Sequence, residues 1–513
     1  MAFIDARSLP AGSQITANIV IIGGGLAGIT LAKQWAKTSL SVAVLESGGR
    51  DFDPKVQALY GGGGVVKGPG NPDKPFDDYL TTSRRRMLGG SGNVWGGKVG
   101  PLDEADFAAR SWIKHSGWPV DRKLLAPFYD RACDLLEVPR LIPAGADPSQ
   151  PGRPALNIAG AKDIYSTPRA FTRYSGGADK AAFDRFRTEF AQAPNITVYL
   201  NANVVDIALV PRGGEVAHLD VACLDGPRHT AKARAYVLAT GGIENARLLL
   251  ASNKVAKAGV GNGHDLVGRY FMGHVTYANG STKTQRGTSV AIVDGGRSMS
   301  LYADNGRDKL HCVLSTTLPA QRAMRTANFT VTLSGFGPPV TDASATAIQQ
   351  VAQGVAGAAK PGKAYDCFMM AEHLPNPDSR ITLAEARDAL GMQRVKLEWQ
   401  YSDQDWHSLE QSADRLADEL GAAGVGRLCW PAKWGELISI SNASRHHMGT
   451  TRMATTAAKG VVDPDGKVFG VDNLYIAGSS VFPTSGIMNP TLTLMALAMR
   501  QSDHLARTLG ASA

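Results

Sequence analysis

The apolar run Ile19-Val20-Ile21-Ile22, followed by Gly23, Gly25 and Gly28 in G-x-G-x-x-G spacing, constrains this chain more than any other segment. Four continuous apolar residues suit a strand buried on both faces of a parallel sheet. The first glycine permits a tight turn and the second lets backbone approach a pyrophosphate. The third lets a helix pack closely on the strand, so that phosphates meet the helix N-terminus. Helical spacing continues over Leu26–Lys37, with Leu26 and Ala27 in the first turn, and Ser41–Glu46 reads as the second strand. Glu46 stands 23 residues after Gly23. A carboxylate there accepts from a ribose 2′-OH and repels a 2′-phosphate, which favours FAD or NAD over NADP. The motif alone does not separate those two.

The rest of the chain divides by pattern. Asn195–Ile207 and Arg234–Thr240 read as strands, and Gly241-Gly242 turns the second into a helix through Leu250. Alternating segments such as Thr330–Leu333 and Val395–Trp399 predict antiparallel strands within an inserted region of about 275–440. An apolar strand returns at Asn473–Ile476, and a helix from about Thr491 closes the sequence. Residues 61–72 read as a Gly/Pro-rich loop, and 143–155, with four prolines, as a connector. The expected architecture is α/β (α+β overall). A discontinuous nucleotide-binding domain takes residues 1–110, 195–275 and 440–513. A substrate domain with an antiparallel sheet, plus connecting segments, takes 111–194 and 276–439.

Composition removes several classes. A formal charge of +8 invites anionic partners, but no Lys/Arg run exceeds the three of Arg84–Arg86, which argues against nucleic acid. That cluster is expected on a solvated face, with one arginine, Arg86, able to reach a phosphate. The five cysteines form no C-x-x-C pair, so neither a disulfide framework nor a zinc knuckle is expected, and a reducing, cytoplasmic setting is the simpler reading. No metal-ligand histidine spacing, signal peptide or membrane span is visible.

Further blocks carry a resemblance. Leu88-Gly89-Gly90-Ser91-Gly92-Asn93-Val94-Trp95-Gly96-Gly97 is a second Gly-rich segment. Ala239-Thr240-Gly241-Gly242-Ile243-Glu244-Asn245-Ala246-Arg247 and Val267-Gly268-Arg269-Tyr270-Phe271-Met272-Gly273-His274 follow. The last block runs from His446 to Ala498 and contains Met448-Gly449-Thr450 and Asn489-Pro490-Thr491. In this order the blocks resemble the glucose–methanol–choline (GMC) oxidoreductases over nearly the whole length. Ser116–Pro119 and Asn376–Arg380 give the flanking sequence the flavour of bacterial pyranose and glycoside oxidases, of the pyranose 2-oxidase and glycoside 3-oxidase kinds.

The resemblance implies FAD and oxidation of a secondary hydroxyl of a sugar, glycoside or cyclitol to a ketone by hydride transfer to flavin N5. Oxygen, a quinone or another acceptor would then reoxidise the flavin. It places His446 as the general base and Asn489 as the donor to the developing alkoxide. A neutral imidazole near its working pKa can take the hydroxyl proton, and an amide N–H can bond the oxygen left behind. His447 competes for the first role, but adjacent residues on an extended chain face opposite ways, and the family register favours His446.

The cofactor is expected on Gly23, Gly25, Leu26, Ala27, Gly28, Glu46, Ser47, Arg86, Gly90, Ser91, Asn93, Val94, Trp95 and Gly96. Val204, Ala239, Thr240, Gly241, Asn245, Gly478, Ser479, Asn489, Pro490 and Thr491 complete the set. The last helix would offer its N-terminal N–H groups to flavin O2. Asp463, Gly470 and Asn473 lie near the strand that meets the flavin. The pyranose oxidase relatives attach FAD covalently to a His just before the Trp of the second block. Val94 stands there, which implies non-covalent FAD. His274 reads as structural. An FAD-containing lyase of the same fold, a non-sugar alcohol as substrate, an NAD dehydrogenase and a non-catalytic nucleotide binder stay open, as do the sugar, the acceptor and the oligomeric state.

Overall fold

The computed structural model describes residues 3–69, 71–76, 78–140, 160–172, 188–190, 192–277, 291–293, 302–304, 309–335, 364–423, 427–429 and 445–511. The expected connector at 143–155 lies outside the described residues.

The apolar run of the first motif becomes the end of the strand Gln14–Ile22, whose last four residues are all buried. It sits near the middle of an eight-stranded sheet ordered Phe3–Asp5, Ile196–Leu200, Val42–Leu45, Gln14–Ile22, Arg228–Leu238, Val216–Ala222, Asn203–Leu209, with Leu474–Ile476 also pairing Arg228–Leu238. Pairing is parallel from Phe3–Asp5 through Arg228–Leu238 and on to Leu474–Ile476, and antiparallel at the Val216–Ala222 and Asn203–Leu209 edge. From Gln14–Ile22 the chain goes first to one side, to Val42–Leu45, and later to the other, to Arg228–Leu238. Such a switch point opens a crevice at the carboxyl ends of the strands. The helix Leu26–Gln34 packs on this sheet and Thr491–Leu509 packs against that helix, with Trp35 Nε1 donating to the Ser502 carbonyl at 3.2 Å.

A nine-stranded sheet lies alongside, and it is antiparallel throughout the described pairs. Its central strands are Ala364–Glu372, Phe329–Gly335, Lys309–Thr316 and Ile164–Phe171, and Lys98–Val99 and His274–Tyr277 join it. The helix Asp403–Ala422, opened by a Ser402/Asp405 capping box, covers this part of the chain.

Residues 61–72 correct the loop expectation. Gly62–Gly68 and Asn71–Phe76 form a hairpin in a third sheet with Gln393–Gln400 and Arg380–Arg387. The glycines serve close approach rather than turning. A Cβ on Gly62 or Gly64 would stand 2.3 or 2.5 Å from the Val395 or Leu397 carbonyl oxygen. Asn195–Ile207, expected as one strand, breaks into Ile196–Leu200 and Asn203–Leu209 because Asn201 takes a φ of 58°. Other boundaries move by a few residues, as in Leu26–Gln34 and Arg228–Leu238.

Candidate active site

The carboxyl ends of the parallel strands open onto one elongated cavity of about 590 Å³. Ile22, Leu45 and Ala239 form its floor at one end. Gly23 has a φ of +104°, and a Cβ there would lie 2.7 Å from the Ala239 oxygen. A Cβ on Gly28 would lie 2.1 Å from the Gly23 oxygen, so Gly28 stands behind the wall and sets the helix–strand distance. Gly25 has open space on its Cβ side, and it precedes a helix with no side-chain cap. The first-turn N–H groups therefore face the cavity without an internal acceptor, which is an anion-binding arrangement. Glu46, 4% exposed, accepts from the Gly24 and Gly48 amides at 2.8 Å each. Burial raises its pKa while those two N–H groups hold it down. Leu26, Ala27, Ser47, Val204, Thr240 and Gly241 share this wall.

The Gly-rich segment forms the next stretch, with Gly90, Ser91, Val94, Trp95 and Gly96 on the cavity. Asn93 does not reach it. Its amide braces the loop by donating to the Leu88 and Gly90 carbonyls at 2.8 and 3.1 Å. Asn245 likewise lies behind, accepting from Thr240 N at 2.8 Å and donating to Ser480 Oγ at 2.8 Å.

The expected solvated arginine cluster is overturned. Arg84 and Arg86 are 6% and 7% exposed, and both pair with Glu244 at 3.0 and 3.3 Å, while Arg247 bonds Glu244 and Asp388. Burial alone would raise the Glu244 pKa, yet Arg247, Arg84 and Arg86 hold it at about 2. Arg86 does line the cavity, but its guanidinium is committed to Glu244 and to Asn203 Oδ1 at 3.2 Å.

At the other end His446 and Asn489 face each other, with Nδ2 of Asn489 3.3 Å from Nε2 of His446. Nδ1 of His446 and Oδ1 of Asn489 are buried without a protein partner. Asn489 lies just before the uncapped N-terminus of Thr491–Leu509, and Pro490 and Thr491 line the same wall. His447 also borders the cavity but is spoken for. Its Nε2 meets the Tyr79 hydroxyl at 2.9 Å, and its ring packs on Tyr79 and Phe271. The His274 ring stands edge-on to His446 at 5.0 Å. Gly449, with a φ of +87° and the Tyr270 oxygen 2.1 Å from a built Cβ, lets this segment turn against the Gly268–Phe271 stretch. Gly478 and Ser479 reach the cavity too. Asp463 instead caps a local turn, accepting from Asp465 N and Lys467 N, and Asn473 pairs with the distant Val216 backbone, accepting from its N–H and donating to its carbonyl.

His446 is not poised near neutrality, as expected from sequence. Burial, then the charges of Arg169 and Lys98, push it down to about 4. Burial lowers His274, His373 and His447 as well. His446 is therefore already neutral at physiological pH. Stability follows with a definite sign. An unfolded imidazole titrates near ~6.5, so below that pH the unfolded chain binds protons before the folded one does, and stability falls. For His446 alone the loss grows to ~3 kcal/mol by the time pH reaches its folded value. Urea midpoints at about pH 7.5 and 5 are expected to drop on acidification; equal midpoints would contradict the buried neutral histidines.

Sequence reading missed Tyr79, Glu244's role, Lys98 and Arg169. Lys98 directly follows the Gly-rich block, a usable signal. Arg169 sits in a stretch with no motif at all.

An uncapped helix end with open glycine at one pole, a buried carboxylate beside it, and an imidazole–amide pair at the other define a dinucleotide flavoprotein acting on hydroxyl groups. The residues fit FAD, since the open Gly25 side, the His446–Asn489 pair and the start of the second uncapped helix all line the one cavity. Residues 375–498 match the GMC oxidoreductase family model. It is 26% identical over 569 residues to 6'''-hydroxyparomomycin C oxidase of Streptomyces lividus, covering 96% of this chain and 92% of that protein. It is 36% identical over 123 residues to C-glycoside 3-oxidase of Arthrobacter globiformis, covering 24% of this chain and 23% of that protein. Pyridoxine 4-oxidase from Mesorbium loti shares the fold, with a TM-score of 0.55 at 18% identity over 96% of this chain and 99% of the other. These relatives are named as oxidases, which does not favour the lyase alternative.

Proposed function

We propose that the protein oxidises a secondary hydroxyl of a sugar or glycoside to a ketone, with His446 as base and Asn489 as donor. The observation that carries this reading is the His446–Asn489 pair, both residues lining the cavity with Nε2 and Nδ2 3.3 Å apart. When bound, FAD supplies the hydride acceptor. His446 Nε2 takes the hydroxyl proton, and its neutral state at working pH makes it available. Asn489 Nδ2 donates to the oxygen as charge develops there. The carbohydrate assignment draws on the relatives, among them the aminoglycoside oxidase and the C-glycoside 3-oxidase. Oxygen or a quinone would serve as acceptor.

We assign the nucleotide domain to residues 1–110, 195–275 and 440–513, and the substrate domain and connecting segments to 111–194 and 276–439. The 62–76 hairpin and the 98–99 strand project from the first onto the sheets of the second. The free, buried thiols Cys133 and Cys223 suit a reducing, cytoplasmic setting. No helix among the described residues is long and apolar enough to cross a membrane.

FAD is held non-covalently, because Val94, half exposed on the cavity, offers no nucleophile. Acid precipitation of the yellow protein is expected to leave all flavin in the supernatant; colour retained in the pellet would refute this. A pyranoside with a free secondary hydroxyl is expected to bleach the bound flavin without oxygen, and indifference to every carbohydrate would overturn the substrate reading.

A further inference from the structure

The wall beside His446 carries positive charge that the proposed chemistry does not use. Lys98 lies in the cavity wall, on a strand whose ladder partner is Phe171, with Nζ 5.4 Å from the Phe171 ring centre. Two residues before Phe171, and so on the same face of its strand, is Arg169. Arg169 is 2% exposed, yet it has only neutral partners: Nη2 donates to Thr330 Oγ1 and the Ile487 carbonyl at 3.2 Å each, and Nε has none. Ile487 is two residues from Asn489, which ties this guanidinium to the reactive end of the cavity.

Four of the other five buried arginines differ; the fifth, Arg452, lies over the Tyr270 ring and donates to the His115 carbonyl. Arg84, Arg86, Arg110 and Arg247 each face a carboxylate. Among the described residues no carboxylate lies within ion-pair distance of Arg169 or Lys98. Burial and the neighbouring Arg169 bring the Lys98 ammonium down to about 7, and burial, opposed by the more distant Asp103 carboxylate, brings Arg169 to about 10. Two desolvated cations that repel each other are unfavourable unless an anion joins them. The cavity gives an anion access to Lys98.

We propose that Lys98 and Arg169 form an anion-recognition wall, so that the substrate is an acidic sugar bearing a carboxylate or a phosphate on the unit oxidised at His446. The inference rests on the carbohydrate reading above. Its test is anaerobic calorimetry on the His446→Ala holoenzyme, in which oxidation of bound sugar is slowed by ~10²–10⁴, using methyl glucuronide, methyl glucoside, glucose 6-phosphate and glucosamine. Saturation of anaerobic flavin bleaching in the wild type gives the same ratios if that variant misfolds. At least one anionic sugar is expected to bind about tenfold tighter than the neutral glucoside, with glucosamine weakest. The glucuronide and phosphate arms separate the two sources of the anion. Lys98→Met should collapse the preference toward one, and Lys98→Arg should keep it. Equal binding of anionic and neutral sugars, or a preference that survives both Lys98→Met and Arg169→Met, overturns the inference while leaving the carbohydrate reading intact. Failure of every sugar to bind overturns both.

Discussion

Replacing His446 by alanine is expected to slow flavin reduction by ~10²–10⁴, the usual scale for loss of a general base, with FAD still bound. The separation of roles follows from the contacts. His446 touches the cavity and Asn489 but does not brace a loop, since its Nδ1 is unpartnered and its Nε2 meets only Asn489. Removing it leaves the nucleotide end untouched. His447 is the internal control. Its bond to Tyr79 and its packing on Phe271 predict that His447→Ala lowers stability more than it lowers the reduction rate. Anaerobic stopped-flow bleaching of both variants distinguishes them; an unchanged rate in His446→Ala would remove it from the chemistry.

Arg110→Met is expected to cost about 3–5 kcal/mol of stability, the scale of breaking a buried ion pair from one side. Arg110 donates to both Glu372 oxygens at 2.7 and 2.6 Å, and the two side chains are 1% and 0% exposed. Asp106 stands nearby, with its pKa raised to about 8 by burial and then by Asp103 and Glu372. Taking away the guanidinium leaves this acidic group without its cation. The pair also joins the segment after the helix Glu104–Phe107 to the strand Ala364–Glu372 of the nine-stranded sheet. Arg110→Met with Glu372→Met removes both charges and is expected to be milder than Arg110→Met alone. Urea unfolding of the single and double variants reads both effects. A single-variant loss below about 1 kcal/mol would show that the pair does not hold these elements together.

Local pattern was enough for the nucleotide end. The apolar strand, the three glycines and Glu46 act through backbone geometry within one βαβ unit, and the structure puts them where that geometry requires. The partners of His446 were legible only through the family resemblance, because His446 and Asn489 are 43 residues apart and meet through tertiary packing. Glycine misled at 62–64, where the residues clear space for a neighbouring strand instead of making a turn. Arginine misled at 84 and 86, because the counter-charge, Glu244, lies 158 residues from Arg86 and no local rule pairs them. The lowered His446 pKa was likewise invisible, since burial, then Arg169 and Lys98, create it in three dimensions.

The central claim is that a carbinol hydrogen leaves as hydride to FAD in this cavity while His446 takes the proton. The most direct measurement is the visible spectrum of the oxidised protein mixed anaerobically with a glycoside, and with the same glycoside deuterated at the reacting carbon. Bleaching of the flavin bands, slower with deuterium and slower still in His446→Ala, is the predicted result. Flavin bands that no sugar bleaches, or bleaching indifferent to both the deuterium and His446, would contradict it.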